Sequence, residues 1–173
     1  MSNLLLTGQE TERLLFRKLE VSDFDTWLTF HKDPRSTEFW EGLPDDPIDA
    51  CQHWFDKAFH RYQNNLGGMN VLVNKQTKAF IGQCGLLVQN VDHIKELEIG
   101  YSILPKYWKQ GYAIEAARKC KAYAKQHNLA KSLVSIINVK NIPSQKVALK
   151  NGMYLDKTTV YNANHSHIFR III

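Results

Sequence analysis

The stretch 101–120, YSILPKYWKQGYAIEAARKC, sets a strand-like alternation, a proline, a basic aromatic turn and an alanine-rich helical pattern end to end, with Gly111 at the hinge. A strand turning tightly into a helix is a general recipe for an anion site. The first amides of the helix lack partners in the chain, the helix dipole adds partial positive charge, and glycine admits a ligand close to the backbone. Each amide bonded to a phosphate oxygen contributes roughly 1.5–3 kcal/mol. A lone glycine at a helix start also serves plain turns, so the motif by itself leaves the anion open. Two familiar phosphate loops do not fit. The chain has no Gly-Lys-Ser/Thr for a nucleotide triphosphate, and WKQGYA lacks the three glycines of a dinucleotide turn.

Such a turn needs elements that hold it. Upstream, ELEIGYSIL alternates Leu97, Ile99, Tyr101 and Ile103 on one face with Glu96, Glu98 and Ser102 on the other, the period of a strand. Downstream, Ala113, Ala117, Cys120 and Ala124 share one face of a helix over 111–126, small enough to pack closely on a sheet. Near the start, RLLFRKLEVSDFDTWLTFHKD predicts a strand over 14–19, then a helix with Ser22 as N-cap before Phe24, Trp27, Leu28 and Phe30. PDDPIDACQHWFDKAFHRYQNN predicts a second helix, with Pro47 in its first turn and Ile48, Cys51, Phe55, Ala58 and Tyr62 spaced by three or four. MNVLVN and AFIGQCGLLVQN read as strands. After the long helix, SLVSIINV reads as a strand, NIPSQKVALKNG as a short helix closed by Gly152, and 154–160 and 167–172 as two more strands. The order βααβββαβαββ, without repeat or linker, predicts a single domain over 1–173: an α/β chain with one mixed sheet and helices on both faces.

Composition narrows the class. A chain of 173 residues that is 44% apolar and 23% charged fits one soluble domain with a solid core. No apolar run approaches the roughly 20 residues of a membrane span, and the leucines at 4–6 are too few for a secretory signal. Cys51, Cys84 and Cys120 are odd in number and widely spaced, which suits a reducing, cytoplasmic compartment. No metal is expected: no pair of cysteines has ligand spacing, and His165 and His167 have no carboxylate or cysteine nearby. The net charge of +5 favours anionic partners, but the basic residues are scattered and do not separate a phosphate-bearing cosubstrate from nucleic acid.

The residues also carry a family likeness. EIGYSILPKYWKQGYAIEAARK, followed at the right separation by NVKNIPSQKVALKNGM, resembles the acyl-CoA-dependent N-acetyltransferases of the GNAT superfamily, and more closely their RimJ/RimL branch of ribosomal-protein acetyltransferases. The likeness covers nearly the whole chain, including the opening ETERLLFRKLEVSDFD. It implies the GNAT acyl-CoA N-acyltransferase fold, α/β (α+β), with a mixed but mostly antiparallel central sheet of about seven strands. It implies acetyl-CoA as cosubstrate and an amine as acceptor: a protein N-terminus, ribosomal or other, or a small molecule. It implies no membrane or direct nucleic-acid partner, and a monomer or homodimer.

Carried over residue by residue, the likeness places the CoA pyrophosphate on Trp108, Lys109, Gln110, Gly111, Tyr112 and Ala113, chiefly through backbone amides. The general superfamily pattern has Gln or Arg where this chain has Trp108, a departure that the RimL-like branch shares. Tyr101, Ser102, Ile103 and Leu104 would pair with the pantetheine arm until Pro105 ends the pairing, and Asn141 would reach that arm from the next strand.

Amine attack on a thioester needs a route for the amine proton, a donor for the oxyanion and an acid for the sulfur. Glu98 of the E-hydrophobic-G-Y strand is the implied base, with Glu96 two residues away as a substitute; a solvated strand glutamate is the plain alternative. The tyrosine acid of many members is absent, because Ala148 holds its place. Ser144 is the branch's candidate instead, although an early-helix serine also satisfies local backbone. Met153, where phenylalanine is usual, reads as a core change. DPRSTEFWEGLPDDP lies where this fold shapes its acceptor pocket, which nominates Phe39, Trp40 and Glu41; Tyr62, His53 and His60 read as surface or core. None of the cysteines suggests an acyl-enzyme. The competing reading is a non-catalytic acyl-CoA sensor, or a ribosome- or RNA-associated module on the same fold, neither of which needs the Glu98 and Ser144 pair.

Overall fold

The computed structural model describes residues 3–173. Strand β1 (Leu14–Arg17) leads through a 3-10 turn (Val21–Asp23) into α1 (Phe24–Lys32), a one-turn α2 (Pro34–Thr37) and the long α3 (Pro47–Gln63). Pro47 opens α3 as expected, and the Asp46 carboxylate caps it by accepting from Ile48 N at 2.7 Å. Ser22 does not cap α1. Glu20 and Asp23 form a capping box around the 3-10 turn, and Asp23 also takes both terminal nitrogens of Arg17 at 2.7–2.8 Å, so the chain turns one step earlier than the serine predicts.

Six strands follow and join β1 in one sheet of the described residues. β2 (Gly67–Asn74), β3 (Phe80–Val91) and β4 (Ile94–Ile103) form an antiparallel meander beside β1. β5 (Ser132–Asn138), β6 (Tyr154–Tyr161) and β7 (Asn164–Ile172) complete the order β1-β2-β3-β4-β5-β7-β6. The last strand starts three residues before the sequence suggests. Asn162 and Ala163 both take positive φ, 46° and 63°, and make the two-residue hairpin that ties β7 tightly to β6. Asp92 and His93 do the same between β3 and β4, with φ 48° and 66°.

The sheet separates two packed layers. On one face α4 (Tyr112–Gln126) lays Ala116, Ala117, Cys120 and Ala124 against Cys84, Leu86 and Ile99, and α5 (Ile142–Lys150) joins it through the fully buried Ala148. Met153 is buried in the same cluster. On the other face α1 and α3 close over Val71 and Leu104 with an aromatic core in which Trp27 stacks on Phe30 at 4.3 Å. Among the described residues no helix is long and apolar enough to cross a membrane, and no group of three or more His, Cys, Asp or Glu could hold a metal ion.

Candidate active site

One pairing in the sheet is unlike the others. β4 and β5 are its only parallel neighbours and they register at a single point, Glu98 opposite Val134. Beyond it the strands part. Gly100, Tyr101, Ser102 and Ile103 on one side and Ile136, Ile137 and Asn138 on the other line a cleft of about 1280 Å³. Leu104 N donates to Ile81 O at 3.0 Å, and Ser135 Oγ donates to Ile99 O at 2.9 Å from the opposite side. Alternation along the strand therefore turns the backbone of Tyr101 and Ile103 to the open edge, and that of Ser102 and Leu104 toward β3. Leu104 is buried in the aromatic core and does not line the cleft.

The cleft's first half is built from backbone. After a 3-10 turn (Pro105–Tyr107), Lys109 and Gly111 take left-handed conformations, φ 61° and 80°, which aim the start of α4 at the opening. Glycine is the N-cap and offers no side chain. The first bond of the helix runs from Glu115 N to Gly111 O, so the amides of Tyr112, Ala113 and Ile114 find no acceptor among the described residues and border the cleft. A Cβ added at Gly111 would meet only Arg13 Nη2, at 3.4 Å, so nothing from the protein fills the cradle. The Trp108 indole is spent: Nε1 donates to Ile103 O at 2.7 Å and pins the turn to the end of β4. Gln110 lies outside the cleft lining, with Nε2 donating to Lys106 O at 3.3 Å.

A brace from the start of the chain, which the sequence reading missed, holds this turn. Arg13 reaches across about a hundred residues, Nε to Glu115 at 2.7 Å and Nη1 to Gln110 O at 2.9 Å, and lies over the Tyr112 ring at 4.1 Å. Glu115 also accepts from Thr11 Oγ1 at 2.6 Å and from Arg13 N at 2.9 Å. Burial alone would raise the Glu115 carboxyl, but these donors hold it below the ordinary carboxylate range.

At the neck, Asn141 caps α5: its Oδ1 accepts from Ser144 N at 3.2 Å, and its side-chain NH₂ has no hydrogen-bond partner among the described residues. Ser144 borders the cleft, and its carbonyl accepts from Tyr101 Oη at 2.8 Å. Burial holds the Tyr101 phenol protonated, with its pKa well above the ordinary value, although the Ser144 hydrogen bond works in the opposite direction.

The second half is built from side chains. Glu98 sits where the strands part, half-buried and bordering the cleft. Burial raises its pKa; the Gln89 amide, donating from Nε2 at 2.7 Å, the positive charge of Arg61 and the Ile136 amide oppose the rise. Gln89 is itself fixed, since its Oε1 accepts from Arg61 Nη2 and Tyr161 Oη, both at 2.9 Å. Glu96 is not available in this way. Arg170 grips it with two nitrogens at 2.6 and 3.1 Å, outside the cleft lining.

Trp40 stacks on Trp54 at 5.6 Å and 9°, and with Phe30 and His31 forms an aromatic wall. Glu41 lies exposed at the rim, and Phe39 O accepts from Asn138 Nδ2 at 3.1 Å, which ties this loop to β5. Tyr62 belongs to the core and donates to Met69 O, His60 lies on the surface, and His53 borders the cleft. The three cysteines are free, buried and outside the lining, and burial pushes the Cys51 thiol up to about 11, so none is a nucleophile for the cleft.

A splayed parallel strand pair over an uncapped helix start is the arrangement that the comparisons recognise. Residues 13–154 match the Acetyltransferase (GNAT) domain, and the chain belongs to that family. The Bacillus subtilis (strain 168) protein YkkB is 30% identical over 149 residues, 86% of each chain. The crystal structure of an acetyltransferase from Agrobacterium tumefaciens str. C58 superposes with a TM-score of 0.80 at 25% identity, over 99% of this chain and 98% of that one. RimL, the ribosomal L7/L12 alpha-N-protein acetyltransferase, solved in complex with CoA, shares the fold at a TM-score of 0.72 and 14% identity, over 96% and 97% of the two chains. The protein is thus an acyltransferase of a family that uses acetyl-CoA.

Proposed function

We propose that the protein is a RimJ/RimL-like N-acetyltransferase that moves the acetyl group of acetyl-CoA directly to a primary amine. The observation that carries this reading is the meeting, in one cleft, of three unpartnered helix amides beside Gly111 with a half-buried carboxylate at the point where β4 and β5 separate.

The residues fit the cosubstrate. The amides of Tyr112, Ala113 and Ile114 and the charge of Lys109 would hold the pyrophosphate, while the outward backbone of Tyr101 and the amide of Ile103, whose carbonyl is taken by Trp108, would pair with the pantetheine arm, helped by the Asn141 NH₂. Gln110 and Leu104 lie outside the cleft lining and shape the turn and strand, while Trp108 and Ser102 border the cleft, the Trp108 indole being held by Ile103 O and the Ser102 backbone facing β3. Glu98 accepts the proton that the ammonium form of the acceptor must lose, directly or through water. The nitrogen–carbon bond forms as a backbone amide of the open edge bonds the carbonyl oxygen. The nitrogen gives up its second proton to solvent as the carbon–sulfur bond breaks, and the Ser144 hydroxyl donates to the departing sulfur and is reprotonated from solvent. Trp40 and Glu41 stand on the acceptor side.

An acyl-CoA sensor needs only the backbone half; the Arg61–Gln89–Glu98 chain would have no work in it. Incubating the protein with acetyl-CoA and a panel of peptides, amino acids, polyamines and aminoglycosides should release CoA thiol in step with a singly acetylated amine in the mass spectrum. Bound acetyl-CoA without any acetylated product would leave the sensor reading in its place.

A further inference from the structure

Acetyl transfer needs a base beside the amine; it does not need a cation beside that base. Yet α3 presents His53, Lys57 and Arg61 to the cleft at i, i+4 and i+8, one stripe of the helix. Arg61 is buried, and its guanidinium is committed to Leu66 O, Val88 O and Gln89 Oε1 at 3.2, 2.9 and 2.9 Å. Lys57 differs. Its ammonium has no hydrogen-bond or ion-pair partner among the described residues, although it borders the same cleft as Glu98. Burial lowers its pKa, and so does the neighbouring Arg61 charge, while Glu98 works in the opposite direction. Its corner of the cleft therefore holds more positive charge than the protein neutralises. The solvent side of α3 is chemically distinct: there Gln52 donates to Asp56 at 2.8 Å.

Arg35, Glu38 and Glu41 also border the cleft, where the Arg35 guanidinium is paired with Asp33 at 2.6 Å and Glu41 lies exposed at the rim. The stacked Trp40–Trp54 pair, with Phe30 tilted against both rings, makes an apolar wall. His31, 7% exposed, adds an imidazole with neither nitrogen partnered, and burial lowers its pKa to about 4, so it is neutral at physiological pH.

We infer that the acceptor is a small amine that carries a carboxylate, an α-amino acid or close relative. Its amine would face Glu98, its carboxylate Lys57, and its remaining side chain the Phe30–Trp40–Trp54 wall. The inference rests on the transferase reading above. It disfavours polyamines, whose second cation would meet Lys57 and Arg61.

The test uses α-amino acids with aromatic, aliphatic and acidic side chains, each beside its carboxamide, with spermidine and short peptides as further acceptors. Binding to the CoA-loaded protein is measured by calorimetry, and acetylation from acetyl-CoA by mass spectrometry. At least one acid should bind and react about tenfold better than its amide, and Lys57→Met should bring that ratio to within about twofold while Lys57→Arg keeps most of it. The change in ratio is decisive, because it cancels differences in amine basicity within each pair. A ratio that survives Lys57→Met, a preference for amides, spermidine or peptides, or no acid bound at all would overturn the inference. Acetyl-CoA bound and turned over on those other amines would sink this substrate class alone; failure to bind acetyl-CoA would take the transferase reading with it.

Discussion

The two halves of the cleft are built by different means. The half beneath Gly111 is local and made of backbone: strand, turn and helix lie within one run of about twenty residues, and the groups offered to a ligand are amides that any sequence would carry. The half around Glu98 is assembled from side chains on α1, α3, β3, β4 and the β6–β7 hairpin. A backbone cradle depends on conformation, and it suits a ligand that stays the same. A side-chain chamber depends on residue identity, and one substitution can retune it without disturbing the fold. The difference separates what the family shares from what this chain selects.

If the halves are independent, substitutions should divide between them. The largest effect is expected at the reacting centre: Glu98→Gln should lower kcat by about 100-fold, and Ser144→Ala by about tenfold, with acetyl-CoA affinity unchanged within about twofold. Because burial raises the Glu98 pKa, kcat/KM of the wild type should fall with decreasing pH through a value above the ordinary carboxylate range, and Glu98→Gln should lack that limb. Equal losses of cofactor affinity and turnover would show that the two halves are coupled. A smaller effect belongs to the brace. Arg13→Ala removes the bonds to Glu115 and Gln110 O and should weaken acetyl-CoA binding about five- to tenfold by calorimetry, with kcat at saturation nearly unchanged. Unchanged affinity would mean that the turn holds its shape alone.

The smallest effect on activity, and one read as stability, lies in the aromatic wall. The folded state keeps His31 neutral down to about pH 4, whereas an unfolded histidine protonates near 6.5. The unfolded chain therefore binds more protons in that window, and stability is lost as pH falls from about 6.5 to about 4, by up to about 3 kcal/mol from this residue. His31→Phe should flatten that part of the curve in urea titrations at stepped pH. An identical slope would place the loss elsewhere.

The same contrast explains what could be read from the sequence. The element order and the Gly111 turn were legible because they are local patterns of period two, period 3.6 and a break between them. The Glu98 strand was legible as a strand, but not the parting of β4 from β5, which depends on where a chain forty residues later returns. Arg13 was invisible for the same reason: an arginine before a strand says nothing of a partner at Glu115. Ser22 misled because Glu20 and Asp23 close a capping box on each other's amides and place Ser22 inside the 3-10 turn rather than at a helix start. Leu104 continues the strand in sequence, yet alternation turns its amide to Ile81 on the β3 side, away from the open edge. Lys57, at ordinary helical spacing, looks like any solvated lysine until the cleft is seen opposite it.

The central claim, that the backbone cradle is a CoA site, is met most directly by thermal denaturation of the wild type and Gly111→Val with acetyl-CoA. At a hundred times its dissociation constant, acetyl-CoA should stabilise the wild type by about 2.7 kcal/mol. A valine at φ 80° is strained and stands in the cradle, so the variant should fold less stably and gain nothing from the ligand. No stabilisation of the wild type, or equal stabilisation of both proteins, would contradict the account.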